Sequence, residues 1–246
     1  MSPELLKLLS TSLMYTMQAS VLVPMIVVWR RQRHFPAAIK ILSWYVYLSA
    51  FCSIMAKLCA IYLHNNLFVL IGFNTGKVLL FAAMYGLVMP TWKRTMWLTV
   101  AIGFMLTIST MPYNMIVAMD VARVVQCAVL AGLALLYMDY TLTHSGSEPG
   151  SQNPYWLLSV GQLVYSAGTV TGFSLDWLGQ TSAVINHLEF LCVAGSGLAF
   201  NYFLTLAFLR ANRTEPTETP APPVAGEQVG LPPSLGNAKP VYGLEQ

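Results

Sequence analysis

Apolar residues run along the chain in seven blocks, near 8–29, 41–63, 67–89, 95–111, 115–137, 155–175 and 184–209, separated by short polar stretches. A helix needs about 20 residues to cross the ~30 Å hydrocarbon core of a bilayer, and the blocks reach or approach that length. The pattern predicts an all-α, polytopic bundle of seven transmembrane helices. The fourth block is the shortest, and it spans only if Trp92 and Lys93 at its start sit among the lipid headgroups.

The connections orient the bundle. Arg30, Arg31, Arg33 and Lys40 fill the first connection, Lys93 and Arg94 the third, and Arg210 and Arg213 follow the last block. The stretches around His64-Asn65-Asn66, Pro112-Tyr113-Asn114 and Asp176 carry no Lys or Arg. Basic residues favour the cytoplasmic side, so the N-terminus is expected outside and the C-terminus inside, as an odd number of spans requires. Trp29, Trp44, Trp92 and Trp156 fall where an inner aromatic belt belongs, and Tyr62, Tyr113 and Trp177 where an outer one does.

Composition strengthens the membrane reading: 56% of residues are hydrophobic and only 9% charged, against about 25% charged in soluble domains. From Thr214 the chain turns to "TEPTETPAPPVAGEQVGLPP", which cannot bury enough apolar surface to offset its ordering entropy. The expected domains are therefore a seven-helix unit over 1–213 and a disordered cytoplasmic tail over 214–246, the latter a possible contact for a cytoplasmic partner. The stretch "THSGSEPGSQNP" (143–154) reads as a solvated linker. No internal repeat is evident. The N-terminus lacks a basic n-region and a small-residue cleavage site, so no removable signal peptide is expected.

A net charge of +3 distributed beside apolar blocks excludes a nucleic-acid-binding face. Cys52, Cys59, Cys127 and Cys192 all lie within apolar blocks, without metal-ligand spacing, and read as small hydrophobes rather than disulfides or a zinc site. No zinc-protease helix, phosphate-binding glycine loop or kinase signature occurs, so no catalytic residue or cofactor is expected. "AGSGLAF" (194–200) is near the Gly-x-Ser-Gly of intramembrane serine proteases, but no mid-span histidine stands on another helix to act as base. The seventh block holds no lysine of the kind that binds retinal. Gly72-x-x-x-Gly76, Ala128-x-x-x-Gly132 and Gly168-x-x-x-Gly172 instead predict close helix packing.

The informative chemistry is the ionisable set inside the apolar blocks: Lys57, Lys77, Asp120, Arg123 and Glu189, accompanied by Asn74 and His187. At ~1.5 Å of rise per residue, Lys77 lies roughly 16 Å below Asn66 and Arg123 roughly 13 Å below Asn114, near the midplane. Asp120, Glu189 and Lys57 lie about 8–9 Å from the outer boundary. Lys57 is placed either to snorkel or to serve a ligand site, Asp120 and Arg123 either to pair three residues apart or to line that site, and His187 to sit at the interface; all seven are candidate ligand-binding residues. A centred lysine costs roughly 2.5–3.5 kcal/mol on insertion scales, so Lys77 is expected to face the bundle interior with a partner or a wet cavity. Three cations against two carboxylates leave one positive charge to be met by an anionic ligand, by a neutral Lys77 or by water in an outward-facing cavity, and the first of these is favoured.

The stretch "LHNNLFVLIGFNTGKVLLFAAMYGL" (63–87) and the helix "GLAFNYFLTLAFLR" (197–210) resemble an uncharacterised group of bacterial seven-helix membrane proteins, with an Asn-Asn turn opening the third helix and an Asn-bearing seventh helix closing the bundle. The resemblance implies the fold and no activity. Where that group has an acidic residue, this chain has Lys77. The expected function is a receptor- or sensor-like protein of the bacterial inner (cytoplasmic) membrane, with an outward-facing polar pocket for a small anionic ligand. In it Lys77 and Arg123 would bind the anion, and Asp120 and Glu189 would balance charge. Alternatives are a small proton- or anion-coupled transporter and a structural subunit of a membrane complex.

Overall fold

The structure, a computed structural model, describes residues 3–144, 152–178 and 183–211. The expected tail over 214–246, Arg213 and most of the 143–154 linker lie outside the described residues, as do the side chains of Asp176 and Trp177. Among the described residues every regular element is helical: α1 (Pro3–Ser20), α2 (Leu22–Arg31), α3 (Ala37–Tyr62), α4 (Leu67–Val88), α5 (Lys93–Thr110), α6 (Met115–His144), α7 (Pro154–Leu178) and α8 (Ala183–Arg210). Short 3-10 turns at Gln32–His34 and Pro90–Trp92 precede α3 and α5.

The helices cover all seven predicted blocks, the first being divided. The division at Val21 has a local cause: Pro24 has no N–H to give to the carbonyl one turn before it, and its ring crowds that carbonyl. Glu4–His34, Ala37–Tyr62, Leu67–Val88, Met115–Thr143 and Val184–Arg210 are long and apolar enough to cross a membrane. The α5 and α7 helices fall short of that measure, α5 because it opens on Lys93 and Arg94 and α7 because Ser, Thr and Gln recur along it.

Asparagine marks the starts of three helices. The Oδ1 of Asn65, Asn114 and Asn153 accepts the backbone N–H two residues on, at 3.0, 2.8 and 2.9 Å, each satisfying a donor that the first helical turn leaves free. At the end of α3, His64 adopts φ 48°. This left-handed step turns the chain toward α4 in a place usually given to glycine.

Core packing is uneven along the bundle. The main cluster joins Val28, Ile39, Leu42, Phe81, Met84, Tyr85, Met89, Leu130, Leu158 and Phe208, and it fills the middle and the end that carries the basic connections. At the other end, where α1 begins and α3 finishes, the second cluster contains only Ile71, Ala118 and Ala122. The most apolar window of Glu4–His34 is also peripheral, with 11% of it buried against 39% for the corresponding windows of α4, α6 and α8. That helix is tied to α8 by Ser10–His187 (3.2 Å) and by Asn201, which donates to Ser20 Oγ (2.7 Å). Its α2 half also packs on α3, whereas the α1 half packs on α8 and stands apart from α3. Large apolar side chains cover the outside, including Leu98, Ile102, Met105 and Leu106 on α5, as a lipid-facing surface requires.

The packing motifs divide. A Cβ at Gly168 would run into Ser196, and one at Gly172 would reach Val193 at 2.8 Å, so this pair lets α7 and α8 approach closely, as predicted. Gly132 and Gly72 have nothing within 4 Å of a would-be Cβ, and Ala128 is exposed. The expectation that Ala128-x-x-x-Gly132 packs is therefore corrected, because α6 buries Ala122, Gln126, Leu130 and Leu133 instead and turns 128 and 132 outward. Of the first motif only Gly76 is in contact, with Leu48 of α3. Ser196 of the "AGSGLAF" stretch donates to Val193 O at 3.1 Å and packs on Gly168, so its role there is in packing.

Candidate functional site

Lys77 stands halfway along α4 and is completely buried. Its Nζ lies 3.6 Å from the ring centroid of Tyr165, 4.7 Å from Phe200, 5.5 Å from Tyr45 and 6.0 Å from Phe81. These rings come from α7, α8, α3 and α4 itself. They also brace one another, with Tyr45 edge-on to Phe81 at 5.5 Å and to Phe200 at 5.8 Å, and Tyr165 tilted on Phe200 at 5.6 Å. Such an aromatic cage presents the negative faces of its rings to a cation, and a desolvated contact of this kind is worth about 2 kcal/mol. One or two of them match the ~2.5–3.5 kcal/mol cost of a centred lysine. The lysine faces inward, as expected, but its company is aromatic: among the described residues no carboxylate lies within ion-pair distance of it.

Arg123 also rests on an aromatic face, 4.4 Å from the Phe173 centroid, and its Nη2 donates to Met119 Sδ at 3.8 Å. The expected Asp120–Arg123 pair is not formed, since the guanidinium turns to α7 instead; Asp120 is half-buried on the same helix. Glu189 lies on the side of α8 that meets Gly172 of α7. Asn74 is buried beside Thr75 and Thr107 at a void of about 20 Å³ between α4, α5 and α6.

The two remaining candidates do meet. Lys57 of α3 and His187 of α8 line one cavity of about 320 Å³ with Lys7, Ser10, Thr11, Tyr15 and Gln18 of α1. Ser10 Oγ is hydrogen-bonded to His187 Nδ1, which holds the imidazole at the cavity wall. The polar wall is read from α1 at helical spacing: positions 7, 10, 11, 14 and 18 share one face. Among the described residues no acidic side chain lines the cavity. A second cavity of about 380 Å³ continues from it, sharing Met14, Gln18 and Lys57 and bounded further by Ser49, Cys52, Ala56, Leu70 and Phe73. The gap between α1 and α3, left by the thin core at this end, is thus a continuous cleft with Lys57 at its waist. Its floor touches the lysine cage, because the Phe73 ring lies tilted against Tyr45 with centroids 6.2 Å apart.

The seven candidates therefore fall in separate places rather than in one cluster: Lys57 and His187 in the cleft, Lys77 in the cage, Arg123 and Glu189 on α6 and α8 toward α7, Asp120 half-buried on α6, and Asn74 beside α5. Sequence reasoning missed Lys7, Ser10, Thr11 and Gln18, although their spacing on α1 was a readable signal. It also missed Tyr45, Tyr165 and Phe200, which no spacing connects to Lys77. Phe81, one turn beyond the lysine, was the only cage ring within reach of a helical-wheel argument.

The sequence matches no protein-family model, and no curated protein or solved structure is detectably similar to it.

Proposed function

We propose that the chain is a seven-span protein of a bacterial cytoplasmic membrane, N-terminus outside, that binds a small anionic molecule in the cleft between α1, α3 and α8 in a receptor- or sensor-like role. The observation that carries this reading is that Lys7, Lys57 and His187, from three helices, line one cavity, with no acidic residue in its lining among the described residues. A concave site of one sign of charge focuses its field and concentrates the opposite ion. The orientation rests on the basic connections, which set this cleft on the outer side. The α1 helix, peripheral and joined to α8 by a few polar contacts, is the element whose position a ligand in the cleft would shift.

The test is thermal unfolding of the purified protein with a set of carboxylates and inorganic phosphate. At least one anion should raise the melting temperature of the wild type and not that of Lys57→Met or His187→Ala. If every anion shifts wild type and variants alike, the reading is abandoned.

A transport reading has one observation in its favour. Gln126 Nε2 and Oε1, Gln162 Oε1 and Thr169 Oγ1 are buried on α6 and α7 without a hydrogen-bond partner among the described residues, and buried polar atoms of this kind ordinarily bind ordered water. Anion flux into proteoliposomes that stops in Gln126→Leu would favour transport over sensing.

A further inference from the structure

The two chambers of the cleft differ in character, and the difference specifies the ligand. The chamber at the N-terminal end of the bundle carries Lys7, Lys57, His187, Ser10 and Thr11. The second chamber runs along α3 from Ala60 and Asn66, past Lys57, to Ser49 nearer the bundle centre; Met14, Cys52, Ala56, Leu70 and Phe73 form its apolar wall, with Gln18 and Ser53 beside them. Lys57 belongs to both, so an anionic head group held by it can have its chain in the second chamber, along the stretch from Lys57 to Ser49. About 12 Å of helix separate Lys57 from Ser49, eight residues down α3. The walls beside α3 are small side chains, Ser53, Ala56 and Ala60, which leave a channel rather than a bowl.

We infer that the ligand is an amphiphilic monocarboxylate: an ionised carboxyl group held by Lys57, with Lys7 and His187 beside it, and an unbranched aliphatic chain laid along α3 toward Ser49 and Phe73. This rests on the anion-binding reading above and narrows it. Charge complementarity selects the head, because the lining offers cations and hydroxyls and, among the described residues, no carboxylate. Apolar burial selects the tail, since each buried methylene is worth enough to tighten binding about fourfold. A small dicarboxylate or phosphate would leave the inner chamber unfilled and would gain nothing from it. A phospholipid would have to fit its second chain where Met14 and Gln18 of α1 close the cleft.

The experiment compares butanoate, hexanoate, octanoate and decanoate binding to the full-length protein in phosphatidylcholine nanodiscs, below their micelle concentrations, with Lys57→Met measured in parallel. Both proteins experience the same partitioning of ligand into the bilayer, so the difference between them isolates the cleft. Wild-type affinity should rise about fourfold per methylene and then level off as the chain reaches Ser49; Lys57→Met should lose most of it, and Lys57→Arg should keep it. Ala56→Phe, which narrows the inner chamber only, should leave butanoate unchanged and bring the plateau to a shorter chain. Octanol should bind far less well than octanoate.

If short carboxylates bind in a Lys57-dependent way and chain length adds nothing, the amphiphile inference is overturned while the anion-binding reading stands. If no carboxylate of any length depends on Lys57, both fall. Discs made with an anionic phospholipid should not displace octanoate; displacement would make the cleft a phospholipid site and overturn the inference.

Discussion

Lys77 and Lys57 are two lysines within apolar helices, and the fold treats them oppositely. Lys77 is enclosed by four rings from four helices in the best-packed part of the bundle. Lys57 is exposed, in a cleft between α1 and α3 at the end of the bundle where the buried cluster is Ile71, Ala118 and Ala122 of α4 and α6. The cage stabilises its charge with fixed π faces and leaves no room for a ligand. The cleft leaves its charge to water and so keeps it available. A buried charge at the midplane is thus not by itself a mark of a binding site: what surrounds it decides whether it serves the fold or a ligand.

That contrast can be broken at several points. The largest effect is expected from Tyr165→Ala, which removes the ring nearest the Lys77 ammonium and leaves a cavity between α4, α7 and α8; it should cost about 3–5 kcal/mol in unfolding measured in detergent. Lys77→Met, which keeps the length and removes the charge, should stay within about 1.5 kcal/mol of wild type, because a well-fitted apolar side chain replaces a buried ion at little or no cost. Near equality of the two losses would mean that the cage does not act on the cation at all.

Next in size is the glycine pair that sets the α7–α8 distance. Gly168→Val must displace Ser196 and press on the Cys192 carbonyl, at about 1–3 kcal/mol. Gly132→Ala, on an open face of α6, should be neutral or slightly stabilising, by up to about 1 kcal/mol. Thermal unfolding of both variants checks the division between closed and open small-residue motifs.

The smallest effect belongs to the cleft. Lys57→Met should change stability by no more than about 0.5 kcal/mol, since an exposed side chain away from caps and core carries little of the fold. Its consequence should appear in anion binding alone. A large loss of stability would show that Lys57 belongs to the structure, as Lys77 does.

Helix positions were legible because each depends on local properties, chiefly apolar length and the polar turns between blocks, among them the Asn-Asn turn that opens α4; the break between α1 and α2 ahead of Pro24 did not follow from the apolar pattern, which predicts the first block as one unbroken span. That Lys77 faces inward also followed from its depth, through the cost of exposing an ammonium to hydrocarbon. Its partners did not follow. Tyr45, Tyr165 and Phe200 are separated from it by tens of residues, and aromatic residues are common enough in this chain, 12% of it, that no pairing stood out. The charge count, three cations against two carboxylates, suggested a compensating cluster because opposite charges attract in principle; in the fold Arg123 lies on Phe173 instead of pairing with Asp120.

The sequence alone determined an all-helical, largely apolar chain with polar turns between its helices, since apolar length and turn chemistry act over one helix at a time. Which of its lysines is enclosed and which lies open was decided only by tertiary structure. That outcome depends on how tightly four helices close around one and how far two helices separate beside the other, and interhelical distance is set by contacts between residues far apart in the chain.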